Sequence, residues 1–202
     1  MIPTPDLSHL TRDDYDRVYE PAEDTFILLD ALEEDAEELR ALRPRLSLEI
    51  GTGHQNKVWS MLPGYVLAAL THLQIPLESV TTYLAAPLLK RVHHAVDILI
   101  FNPPYVPTYD SESQEAQDGK DIRGSWAGGT DGMRITDILL ECVDGLLSPR
   151  GRFYLVAVKE NNIPELQRRM RELYDLESKI ILQRRAGREH LHVICFMRNG
   201  RP

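Results

Sequence analysis

An α/β fold built on a parallel, helix-flanked sheet is predicted by three features of the chain. Apolar strand-like runs alternate with helix-like segments along the 202 residues. One of those runs, Val96-Asp97-Ile98-Leu99-Ile100-Phe101, is apolar apart from a single acid and reads as a central strand buried on both faces. The last two runs, on either side of Arg184-Arg185-Ala186-Gly187-Arg188-Glu189, read as an antiparallel hairpin at or near the sheet edge.

The elements follow in order. Residues 22–42 carry Phe26, Leu29 or Asp30, Leu32 and Leu39 near helical spacing with acids between them, and the spacing predicts one amphipathic helix ended by Arg43-Pro44. Leu46 to Ile50 is a short strand that runs into a glycine turn at Gly51 and Gly53. Residues 57–73 read as a helix and Leu77 to Thr82 as a short strand. The Val96–Phe101 strand stops sharply at Asn102-Pro103-Pro104-Tyr105, because proline removes a backbone donor. A polar loop from Thr108 to Thr130 leads to a helix over 133–147, closed by Ser148-Pro149-Arg150-Gly151. Arg152 to Val158 is a second buried strand. The helix after it has Asn162 as its N-cap and Pro164 in its first turn. No repeat or low-complexity tract interrupts the pattern, so a single domain over 1–202 is expected, with 1–43 an N-terminal segment and helix and 44–202 the core.

Composition restricts function. With 43% hydrophobic and 27% charged residues the chain can build an ordinary core, and disordered, collagen-like and disulfide-stapled classes are excluded. Its two cysteines, Cys142 and Cys195, lack metal-ligand spacing and read as buried hydrophobes in a reducing compartment. The N-terminus shows no secretory pattern, which points to the cytoplasm or nucleus. Val58 to Leu77 holds no Asp, Glu, Lys or Arg, yet Pro63, Gly64 and Pro76 interrupt it, so it reads as a buried helix and strand rather than a membrane span. Residues 1–50 are net −9 and residues 51–149 net −5, against +6 for residues 150–202. That acidic excess disfavours sequence-independent nucleic-acid binding. The tail arginines, Arg168, Arg169, Arg171, Arg184, Arg185 and Arg188, suit a solvated helix face, a nucleic acid or an acidic protein partner.

Ligands of open parallel sheets sit beyond the carboxyl ends of the strands. Two loops fall there. Glu49-Ile50-Gly51-Thr52-Gly53 alone is equally a structural turn. Asn102-Pro103-Pro104-Tyr105 is more specific: a side-chain amide, two rigid prolines and a ring suit gripping a flat, nitrogen-bearing group.

Together with Val18-Tyr19-Glu20-Pro21-Ala22-Glu23-Asp24-Thr25-Phe26, these loops make the chain resemble the HemK-like class I methyltransferases, and within them the eukaryotic catalytic subunits that methylate a glutamine of the class 1 translation release factor. Ser125-Trp126-Ala127-Gly128-Gly129, Phe153 to Val156, Lys159-Glu160-Asn161-Asn162 and Ala186-Gly187-Arg188-Glu189 fit the same pattern, so the likeness covers 18–53 and 77–197. The resemblance implies a Rossmann-like class I methyltransferase sheet and N5-methylation of the glutamine of a Gly-Gly-Gln loop by S-adenosyl-L-methionine. It implies Asn102, Pro103, Pro104 and Tyr105 as catalytic residues, and Thr25, Glu49, Gly51, Gly53, Tyr83, Leu84 and Asn102 around the cofactor, with Glu78 expected there as a substitute carboxylate. It also implies a heterodimer with a small zinc-binding activator protein, although this chain supplies no zinc ligand set. Adenine N6 methylation, histone lysine methylation and a non-catalytic variant are the alternatives.

One stretch departs from that pattern. No Asp or Glu occurs from His54 to Leu77, where a second strand would end in the acid that holds the ribose hydroxyls, and the first available carboxylate is Glu78. Where an acid would contact the adenine, Tyr83 stands. The sheet is therefore expected to be shortened between its first and third strands. Cofactor affinity is expected to suffer, as in a weakly active variant or a truncated product, because each lost charge-assisted hydrogen bond costs about 1.5–3 kcal/mol.

Overall fold

The structure is a computed structural model, and it describes residues 11, 21–51, 84–108 and 128–198. Gly53, the 54–77 stretch, Glu78 and Tyr83 lie outside the described residues, as do the helix over 57–73 and the strand after it.

Helix α1 (Glu23–Glu34) and helix α2 (Ala36–Leu42) occupy the stretch in which one continuous helix was expected. Asp35 breaks it. Its backbone leaves helical geometry (φ −92°, ψ 11°) while its carboxylate accepts the Tyr154 hydroxyl at 2.6 Å and Arg152 Nη1 at 3.1 Å. The buried stripe is also phased differently from the expected one. Ile27, Leu28, Ala31 and Leu32 face inward, whereas Phe26 is only half-buried and Asp30 is exposed. Arg43 closes α2 in the left-handed region (φ 50°), ahead of Pro44.

Strand β1 (Ser47–Ile50) starts one residue later than expected, and β2 (Val96–Phe101) matches its prediction. Helix α3 (Arg134–Leu146) leads directly into β3 (Leu147–Val158). The expected turn at Ser148–Gly151 is instead an irregularity within β3. The register steps from Val96 opposite Leu147 to Ile98 opposite Arg152, and the Ser148 hydroxyl donates to Asp97 Oδ1 at 2.7 Å. Helix α4 (Ile163–Tyr174) has Pro164 in its first turn. Asn162 stands at the N-cap position, but its backbone is left-handed (φ 51°) and its side chain makes no cap bond.

Strands β4 (Leu176–Ala186) and β5 (Glu189–Arg198) form the expected hairpin, turning at Gly187 with φ 57°, a conformation that glycine adopts without steric cost. The sheet order is β1-β2-β3-β5-β4; the first three strands are parallel and β5 is antiparallel to both its neighbours. Side chains alternate across the strands. Leu99, Phe101, Phe153, Leu155 and Ile194 pack with Leu139, Leu140, Leu166 and Met170 of α3 and α4. On the other face, Ile98, Ile100, Tyr154, Val156 and Val193 pack with α1 and α2. The result is a three-layer α/β/α sandwich.

The basic tail is largely neutralised within the chain. Arg168 pairs with Glu165 and Glu172, Arg169 with Asp137, Arg171 with Glu177, and Arg184 with Asp30 and Glu23. Both cysteines are free, Cys195 in the core and Cys142 half-buried. Among the described residues no helix is long and apolar enough to cross a membrane.

Candidate active site

The parallel strands β1, β2 and β3 end at one edge of the sheet, where Gly51, Asn102 and Lys159 begin the outgoing loops. Register places Ile50 opposite Phe101, so exposed Gly51 and buried Asn102 emerge side by side. Continuing the alternation of Ile98 and Ile100, Asn102 lies on the α1 face. Glu49, half-buried and opposite Ile100, shares that face.

The Asn102 side chain is 6% exposed and donates Nδ2–H to Asp24 Oδ2 at 2.9 Å. Asp24 sits in the first turn of α1, where the helix dipole favours a negative group. Its second oxygen accepts the Thr25 backbone N–H at 2.9 Å. A carboxylate only accepts, so the atom of Asn102 that faces it is the nitrogen and the amide orientation is fixed. Oδ1 therefore turns away from Asp24.

Pro103, Pro104 and Tyr105 are buried behind Asn102. Their backbone is held by glycines and one asparagine. The Pro104 carbonyl oxygen lies 2.6 Å from where a Cβ on Gly128 would stand, and the Tyr105 carbonyl oxygen 2.1 Å from that of Gly132, which has φ +73°. Asn161, 4% exposed, donates Nδ2–H to the Tyr105 and Asp131 carbonyls at 3.1 Å each and accepts the Val158 N–H at 2.8 Å. Three loops are thereby locked to one another. The Gly128 N–H donates to the Val106 carbonyl and the Thr108 N–H to the Gly129 carbonyl, each at 2.8 Å.

The Tyr105 hydroxyl donates to Glu189 Oε2 at 3.3 Å. Burial pushes the Glu189 carboxyl up, the Tyr105 hydrogen bond pulls it down, and the nearby Asp24 and Glu160 charges push it up further; the balance lies above the usual glutamate range. His192 packs beside His190, and burial pulls its imidazole below the ordinary histidine value.

The structure thus brings together Asn102, Pro103, Pro104, Tyr105, Glu49, Gly51 and Thr25 of the expected site residues. Thr25 is fully buried, and Leu84 is half-buried against the α3 side of the core in a left-handed conformation (φ 48°). Sequence reasoning missed Asp24, Asn161 and Glu189 as site residues. Asp24 and Asn161 lie within stretches that carry the resemblance, but each bonds across a long sequence gap that no local pattern reveals.

No protein-family model matches the chain. Among curated proteins, a Mus musculus protein named Methyltransferase HEMK2 is 37% identical over a span of 214 positions, covering 98% of this chain and 98% of that protein. The Schizosaccharomyces pombe eRF1 methyltransferase catalytic subunit mtq2 is 35% identical, covering 99% and 97%. The solved structure of the E. cuniculi Mtq2–Trm112 complex, described as responsible for methylation of the eRF1 translation termination factor, aligns with a TM-score of 0.58 at 25% identity, over 91% of this chain and 99% of that one. An aligned span of 214 positions exceeds the chain's 202 residues, so the mouse relative carries residues that this chain lacks. End-to-end similarity at this level, on a mixed α/β fold shared with the solved relative, shows that the chain belongs to the class I methyltransferase family of HEMK2 and Mtq2.

Proposed function

We propose that this methyltransferase places a methyl group on the side-chain nitrogen of the glutamine in the Gly-Gly-Gln loop of a class 1 translation release factor. The observation that carries the reading is the fixed orientation of Asn102. With Nδ2 committed to Asp24, Oδ1 is the atom that accepts a hydrogen bond from a substrate amide. A second acceptor is a prolyl carbonyl. Because the Pro104 oxygen is packed against Gly128, that role falls to Pro103.

An amide nitrogen is a poor nucleophile, since its lone pair is delocalised into the carbonyl. Holding both amide hydrogens aims that nitrogen along one line, and positioning of this kind replaces most of the activation that a strong base would otherwise supply. The Tyr105 ring stacks on the amide plane, held at its hydroxyl by Glu189. Proton loss follows readily once the nitrogen is alkylated.

The methyl donor is S-adenosyl-L-methionine, whose sulfonium supplies an activated methyl group when bound. The donor set fits it. Exposed Gly51 allows close backbone approach at the strand end, Glu49 offers a half-buried carboxylate, and Asn102 borders both. Thr25, Gly53, Tyr83 and Leu84 are assigned to the same role by resemblance, and Glu78 as the first carboxylate after the acid-free stretch. The solved relative is a complex with Trm112, and we assign this chain a corresponding small zinc-binding activator as partner. Release factor methylation would place it in the cytoplasm.

The experiment is methyl transfer from labelled donor to purified release factor, to duplex DNA and to histone. Transfer to the release factor that is abolished by Asn102→Ala supports the reading. Faster transfer to adenine or lysine overturns it.

A further inference from the structure

We propose that Asp24 is a positioning residue for methyl transfer, acting through Asn102. The inference rests on the reading of Asn102 as the substrate-amide acceptor and adds the group that makes it one. An unanchored asparagine side chain can present either its oxygen or its NH2 group to a neighbour, and the two faces have similar shape. Toward a glutamine amide the difference decides function, because an NH2 facing an NH2 has no acceptor between them. Asp24 removes that ambiguity. Its Oδ2 lies 2.9 Å from Asn102 Nδ2, where an asparagine oxygen would meet like charge.

Three features make Asp24 suited to this task. Its carboxylate is 6% exposed, so water does not compete strongly for the bond. Its other oxygen accepts the Thr25 backbone N–H, which fixes the carboxylate on the rigid first turn of α1 instead of leaving it to rotate. And the Asp24–Asn102 bond spans 78 residues of sequence, tying α1 to the end of β2 at the point where substrate is held.

The bond also polarises the amide. A charge-assisted hydrogen bond on Nδ2 shifts electron density toward Oδ1. Oδ1 then accepts more strongly as the substrate N–H becomes acidic during alkylation. The effect belongs to the transition state more than to the ground state, so it raises kcat more than it lowers KM. Asp24→Asn keeps size and shape but leaves only one acceptor for two donors. The introduced amide then satisfies either Thr25 or Asn102, and the Asn102 side chain can turn over.

The test uses the full chain, with its activator where one is needed for activity. Wild type, Asp24→Asn, Asp24→Glu and Asn102→Ala are compared for kcat and KM on release factor and for affinity toward S-adenosylhomocysteine. The side-chain NH2 resonance of Asn102, assigned by its loss in Asn102→Asp, is followed by 15N NMR. For Asp24→Asn, a fall in kcat of about 10- to 100-fold is expected, with S-adenosylhomocysteine affinity within about threefold of wild type. Partial recovery in Asp24→Glu is expected too, as is an Asn102 NH2 signal that loses its hydrogen-exchange protection. An Asp24→Asn enzyme within about threefold of wild-type kcat, with Asn102→Ala inactive, overturns the positioning role alone. A parallel loss of kcat, product affinity and melting temperature assigns Asp24 a structural role and also overturns it. Wild-type activity in Asn102→Ala overturns the proposed function, and the positioning role with it.

Discussion

Tyr105 and Glu189, 84 residues apart, meet at 3.3 Å and so join the Asn-Pro-Pro-Tyr segment to the first residue of β5. Tyr105 is also anchored through its backbone, by Asn161. Both the hydroxyl and the backbone of Tyr105 are thus fixed by elements other than its own loop.

The Glu189 carboxyl is raised above the usual range by its burial and by the neighbouring Asp24 and Glu160 charges, against the pull of Tyr105. A carboxyl with a raised folded-state pKa binds its proton more tightly in the native state. Stability therefore falls as pH rises from the unfolded glutamate value, about 4.3, through the folded value, and levels off above it. Glu189→Gln should flatten that part of the melting-temperature profile and leave stability at pH 7 equal to wild type or higher. A profile unchanged by the substitution would contradict this.

Asp97, at the opposite end of β2, behaves in the other direction. Burial pushes its carboxyl up, but hydrogen bonds from Ser148 and from the Arg45 and Leu46 backbone outweigh that and hold it below the usual range. Its contribution is present above the unfolded aspartate value, about 3.9, and is lost as pH falls through the folded one. Asp97→Asn should cost about 1–2 kcal/mol in urea denaturation at pH 7. It should leave kcat unchanged, since the residue is remote from the carboxyl edge.

Gly132→Ala is expected to damage both stability and activity. The added Cβ would stand 2.1 Å from the Tyr105 carbonyl oxygen and 2.6 Å from Asn161 Nδ2, at a residue whose φ is +73°. Backbone on one side and a buried, bonded amide on the other give little room to yield. A loss of about 2–4 kcal/mol is expected, combining overpacking with the left-handed penalty. Thermal denaturation and the transfer assay, run together, would show the two losses in parallel.

Tyr154→Phe should destabilise the chain by about 1–3 kcal/mol, because the lost donor serves a buried carboxylate. Among the described residues Asp35, 4% exposed, would keep its Arg152 and Lys179 partners. Equilibrium unfolding at neutral pH measures it.

The absence of any Asp or Glu from His54 to Leu77 leads to a further expectation. Titration calorimetry with S-adenosyl-L-methionine should give a dissociation constant weaker than micromolar, and micromolar binding would refute the impaired-affinity reading. Glu78→Gln should weaken binding further if that residue has taken over the ribose.

Much of this architecture was legible in the chain because its signals are local. An apolar run ended by two prolines can be little other than a strand leading into a rigid loop, and β2 appears where Val96–Phe101 was read. The Gly187 hairpin is equally local. What escaped was set by distant partners. Apolar spacing continues on both sides of Asp35, so the helix break there depends on Tyr154 and Arg152, more than 110 residues away. Pro149 and Gly151 read as a turn because nothing in their neighbourhood discloses that Asp97 draws Ser148 into the sheet. At the site, Asn102 announced itself by its motif, whereas Asp24 and Glu189 become visible only once α1 and β5 converge on it.

The most direct measurement is fragment mass spectrometry of release factor incubated with the chain and methyl donor. One methyl group on the glutamine of the Gly-Gly-Gln loop, absent with Asn102→Ala, is the result the account predicts. An unmodified glutamine, or a methyl group on another residue, would contradict it.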